Sequence, residues 1–208
     1  MLFRSDMSKL LILYDNHPQT ILHDFLESCA DTTKQMCYEN GIDYSSLCPP
    51  SLNEQNVRDH MQAHSICVVA AHGDSNGVYN ENDMPLVSLD TANYNFQGKG
   101  FYGISCLCAQ KLRTHLLDNI GALLFVGYKE TFNVRGEYEP FITCALSGLK
   151  CLLEGKNVAD AYQEMLLEYE KQIDILDIVD PMAAKELLHN MESLVFCGNK
   201  SLVLNDLN

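Results

Sequence analysis

Two stretches decide how this chain folds: Ser65-Ile-Cys-Val-Val-Ala-Ala-His-Gly73 and Phe101-Tyr-Gly-Ile-Ser-Cys-Leu-Cys108. Each begins with an apolar run of strand length and ends on residues that carry chemistry. Continuous apolar runs of this kind suit parallel strands covered on both faces. Lys9–Tyr14, closed by Asp15-Asn16, and Ala122–Tyr128 have the same form. They are read as two more strands.

Between these runs the apolar spacing changes to three and four. After Pro18, a helix is expected from Ile21, Leu22, Phe25, Leu26 and Cys29, and Gly41 should stop the helical stretch that follows. Leu52–His64 reads as a polar helix, and Asp74–Asp83 as a loop rich in Asp, Asn and Gly. Residues 84–98 show no period and leave room for a short strand or small insertion. Ala109–Asn119, Phe141–Leu153 and Val158–Leu176 read as helices, and Asp180-Pro181 opens a last one. Leu194–Cys197 and Ser201–Leu204 are read as closing the sheet. Strands alternating with helices predict one α/β domain over 1–208, a mainly parallel central sheet flanked by helices. Residues 1–8 are read as a flexible N-terminus.

Composition narrows the function. The chain has 208 residues, 47% of them hydrophobic, and its longest apolar runs are far too short to span a bilayer. No signal-like N-terminus is visible, so a cytoplasmic location is expected. Nine cysteines, an odd number with no C-x-x-C pair, read as free thiols, with neither a disulfide framework nor a metal site. The net charge of −14 disfavours phosphate backbones, so no direct nucleic-acid binding is expected, and a basic peptide or protein is the natural complement.

Functional groups in an open parallel sheet collect beyond the carboxyl ends of the strands. His72 follows one strand candidate and Cys106 follows another. If the two strands are neighbours, imidazole and thiol emerge at one edge, the arrangement needed for a base to activate a sulfur nucleophile. Gly73 lets a carbonyl approach backbone N–H groups, and the expected helix after Cys106 would place its N-terminus beside the sulfur. The loop Gly77–Asp83 is expected to wall a cleft. The remaining histidines fall on helices or their ends, and Cys67, Cys144, Cys151 and Cys197 read as core thiols.

His72-Gly73, then Gly103-Ile-Ser-Cys-Leu-Cys108, then Gly121-Ala-Leu-Leu-Phe-Val-Gly-Tyr128 resemble the corresponding segments of clan CD cysteine peptidases. The likeness is greatest to the bacterial CHAT and gingipain-like branch of the caspase fold. Gly155–Ala161 and the ending Cys197–Leu204 extend it, with Asn199 where the family usually has aspartate. The resemblance implies a cysteine endopeptidase with His72 as base and Cys106 as nucleophile, Cys108 being the alternative nucleophile. Backbone N–H groups of Gly73 and Cys106 would form the oxyanion hole. No metal or cofactor is implied. Asp74, Asp83 and Asp90 are candidates for the substrate pocket. The expected partners are a protein or peptide substrate and a regulatory protein, and family analogy extends to prokaryotic defence. The rival reading is a catalytically inactive caspase-like module that binds a partner. Cleavage is expected after a basic or neutral residue, the competing view being an apolar selecting pocket.

Overall fold

The computed structural model describes residues 9–91 and 93–207. The segment expected to form a flexible N-terminus lies outside the described residues. Strands β1 (Leu10–Tyr14), β2 (Tyr44–Leu47), β3 (Ile66–Ala70), β7 (Gly100–Ile104), β8 (Leu124–Tyr128) and β9 (Leu194–Gly198) form one six-stranded sheet in the order β2-β1-β3-β7-β8-β9. All neighbours are parallel except β9, which runs antiparallel to β8. The expected α/β architecture with a mainly parallel sheet is therefore present.

The four central strands β1, β3, β7 and β8 are buried along their whole length because both faces are covered. Alternate residues point to opposite sides. Leu10, Ile12, Val68, Tyr102, Ile104 and Val126 face a core shared with α1 (His23–Asn40), α4 (Glu139–Leu153), α5 (Val158–Val179) and α6 (Pro181–Ser193). Leu11, Leu13, Val69, Phe101 and Phe125 face a second core with α2 (Glu54–Met61) and α3 (Leu112–Thr114). The buried Tyr102 and Tyr128 hydroxyls are satisfied, on the Ala145 carbonyl at 2.7 Å and the Tyr169 hydroxyl at 2.9 Å. Gly41, at φ 66°, closes α1 and the Asp180 side chain caps the start of α6, both as expected, while Asn53, a cap the sequence reading did not single out, starts α2.

Several elements differ from the sequence expectation. The helix after Pro18 starts only at His23, because the Asp15 carboxylate ties the Thr20 hydroxyl and the His17 N–H into a turn first. Strand β2 was not foreseen; its edge position leaves it half polar, so no continuous apolar run marks it. The stretch Asp74–Asp83, read as a loop, instead holds β5 (Gly77–Tyr79), which pairs antiparallel with β4 (His72–Asp74) on one side and on the other with β6 (Pro85–Ser88), a short strand within residues 84–98 where room for one was left. These strands are too short for period two to register. The expected helix over Ala109–Asn119 is a turn from 106 to 111, then the single turn of α3, then a π-helical turn, His115–Ile120. Ser201–Leu204 adds no strand; a 3-10 turn follows at Leu204–Asp206.

Candidate active site

The register of the central strands brings the two candidate residues together. Ala70 at the end of β3 lies opposite Ile104 at the end of β7. His72 and Cys106 each stand two positions further along their chains. His72 is exposed and opens β4 in the small sheet, while Cys106 is half-buried at the start of the turn. Both line one cavity of about 160 Å³.

Gly73 is what allows this approach. A Cβ built on it would stand 2.5 Å from the Cys106 carbonyl oxygen and 2.9 Å from Ser105 Cβ. Such distances lie far inside ordinary contact, so only glycine lets β4 lie against the Ser105–Cys106 backbone. Two leucines next to the site hold left-handed backbone, Leu22 at φ 65° and Leu107 at φ 58°. For residues with a Cβ this conformation costs of order 1 kcal/mol or more, and it persists only where the surroundings enforce it. Hydrogen bonds do so at Leu107, whose N–H donates to the Glu130 carbonyl at 2.9 Å and whose carbonyl accepts from Gln110 N–H at 3.0 Å.

The expected helix N-terminus beside Cys106 is absent, since α3 begins only at Leu112. A different group faces the sulfur: the Phe132 N–H donates to Cys106 Sγ at 3.3 Å. The loop bearing Phe132 is held from two sides. Its ring stacks on Phe25 at 5.7 Å and meets Tyr128 edge-on at 4.7 Å. Beside it, Asn190 is fully buried on α6; its Oδ1 accepts from Asn133 N–H at 2.9 Å and its Nδ2 donates to the Asn133 carbonyl at 2.7 Å. Sequence reading missed Phe132, whose backbone N–H leaves no trace in side-chain identity, and Asn190, whose amide meets the Asn133 backbone 57 residues away in the chain.

Cys108 sits elsewhere. Its side chain is fully buried on the other face of the sheet, over Gly103 and Gly127, where an added Cβ would come within 3.2 and 2.7 Å of its sulfur. Burial pushes its thiol up to about 12. The same cause raises Cys37 to about 12 and holds Cys29, Cys67 and Cys144 above the usual thiol range.

The acidic candidates serve turns outside the cavity. Asp74 Oδ1 accepts from the N–H groups of Asn76 and Gly77 at 2.7 and 3.0 Å and from the Tyr79 hydroxyl at 3.1 Å, an internal anchor for the β4–β5 turn. Burial, with Asp74 as hydrogen-bond acceptor, pushes Tyr79 up to about 12. Asp83, at φ 56°, belongs to the exposed turn after Asn80, and Asp90 to the turn closed by Ser88. None of the three lines the cavity, nor does the segment Gly77–Asp83. The wall is apolar instead, formed by the start of α1, Ile104 and Phe132. Ser105, also at the cavity, is buried with a hydroxyl that has no hydrogen-bond partner among the described residues.

A larger groove of about 540 Å³ runs between α5 and the edge strand β9, away from His72 and Cys106. Among the described residues no cluster of three or more His, Cys, Asp or Glu is placed to hold a metal, and no helix is long and apolar enough to cross a membrane. No protein-family model matches the chain, and no curated protein matches it in sequence.

Proposed function

We propose that the protein is a caspase-like cysteine endopeptidase in which His72 and Cys106 form the catalytic pair. The observation that carries this reading is the register of β3 on β7, with His72 and Cys106 beyond it at a shared cavity. A mainly parallel six-stranded sheet with flanking helices is compatible with the caspase-like fold.

In this mechanism the His72 imidazole takes the Cys106 thiol proton, and the sulfur attacks the substrate carbonyl. His72 then returns the proton to the leaving amine, and water hydrolyses the acyl-enzyme. The Phe132 N–H orients the sulfur. Backbone N–H groups of Gly73 and Cys106 stabilise the oxyanion, a role favoured by the close approach of their main chains. Cys106 is preferred over Cys108 because it is half-buried at the cavity, whereas Cys108 is sealed in the core with a raised thiol. Control by a regulatory protein partner and a cytoplasmic setting remain part of the proposal.

Peptides bearing a carbonyl electrophile, followed by mass mapping, test the assignment. Cys106 is expected to form the adduct, and His72→Ala to slow it by about 100-fold or more. Adduct formation at Cys67 or Cys151, or labelling indifferent to His72, would overturn it.

A further inference from the structure

We propose that the cavity beside Cys106 selects an apolar side chain of leucine to phenylalanine size at the residue whose carbonyl is attacked. This specificity rests on the peptidase reading above. Leu22, Phe25, Leu26, Ile104 and Phe132 line the space, and Ile21, 75% exposed, stands at its mouth. Among the described residues no Lys, Arg, Asp or Glu lines it, and His72 and Cys106 are the only titratable groups there.

Its size matches the guest. At about 160 Å³ it is comparable with aliphatic and aromatic protein cavities that stay dry and take up one benzene ring. A carboxylate or ammonium entering it would lose its hydration and gain no opposite charge in exchange. The acidic side chains near His72 cannot supply a cation-selecting wall, since Asp74 is spent on its own turn and Asp83 and Asp90 lie outside the cavity. The overall negative charge acts at longer range, on encounter rate, and salt screens it.

The turn that delays α1 creates this pocket. Had the helix begun at Pro18, Ile21 and Leu22 would sit within its first turn. Instead the Asp15-anchored turn and the left-handed backbone at Leu22 leave both at the cavity.

The test uses the full chain and peptidyl acyloxymethyl ketones that differ only at the residue next to the electrophile: Leu, Phe, Ala, Asp or Lys. The readout is the second-order rate of Cys106 adduct formation. Leu and Phe should react about tenfold or more faster than Ala, and faster still than Asp and Lys. Ile21→Arg, a change at an exposed position, should lower the Leu-to-Asp rate ratio by about tenfold. His72-dependent labelling that is fastest with Asp or Lys, or equal for Leu and Ala, overturns the specificity and leaves the catalytic pair standing. An unchanged Leu-to-Asp ratio in Ile21→Arg also overturns it. Absence of His72-dependent labelling with every probe overturns the specificity and the peptidase reading together.

Discussion

Replacing Gly73 by alanine probes the contact on which the site depends. The new Cβ would stand 2.5 Å from the Cys106 carbonyl oxygen and 2.9 Å from Ser105 Cβ. Ordinary contact between non-bonded heavy atoms begins near 3.5 Å, so β4 and the Ser105–Cys106 backbone must separate by about 1 Å. Neither is the far end of a flexible side chain: one is main chain, and the other is fixed to a buried strand end. Overpacking of this kind costs about 1–3 kcal/mol. In a chain of 208 residues that lowers Tm by about 2–12 °C. A displacement of about 1 Å between reacting groups costs about 100-fold in rate. Gly155→Ala supplies the control: Gly155 has φ 84°, and an added Cβ would meet nothing within 4 Å. It should cost about 1 kcal/mol through backbone strain and leave labelling of Cys106 unchanged. Thermal melting and peptide-electrophile kinetics are measured on both variants. A Gly73→Ala protein that labels at the wild-type rate with unchanged Tm would refute the claim that this close approach builds the site.

Three further outcomes are expected. Cys108→Ala should cost about 1–2 kcal/mol by emptying the space over Gly103 and Gly127, yet keep full labelling of Cys106; loss of labelling in a folded variant would return Cys108 as nucleophile. Asn190→Ala leaves the Asn133 N–H and carbonyl without their partner, which should cost about 1–3 kcal/mol and slow Cys106 labelling as the Phe132 N–H loses its fixed position; unchanged kinetics would deny that positioning role. His64 has its pKa lowered chiefly by burial, so the unfolded chain binds the proton more readily. Its contribution to stability is complete above the ordinary value near 6.5 and is lost as pH falls from there through the lowered folded value. Denaturant titrations of wild type and His64→Gln should therefore converge or cross on going from pH 7.5 to 5, and a constant gap would contradict the assignment.

What the sequence determined by itself was the central strands and their chemical ends. Lys9–Tyr14, Ser65–Ala71 and Ala122–Tyr128 read as strands because burial on both faces demands uninterrupted apolar residues, and each contains a strand, trimmed by one or two residues. Gly41 and Asp180 marked helix ends because backbone freedom at the one and a side-chain oxygen at the other satisfy groups that a helix leaves unpaired. His72 and Cys106 stood out because each follows such a strand. Tertiary structure decided the rest, since it depends on contacts between residues far apart in the chain. Only the pairing of β3 with β7 makes the two residues neighbours. Only packing distinguishes Cys106 from Cys108, which lie in one short segment but on opposite faces of the sheet. The sulfur's hydrogen-bond partner, Phe132 N–H, comes from a loop after β8 that Asn190 and Phe25 hold in place. The cavity wall, too, is made by a turn at Asp15 that overrides the helical spacing after Pro18. Periodicity reports which face of an element is buried; it carries no information on which distant backbone will close over it.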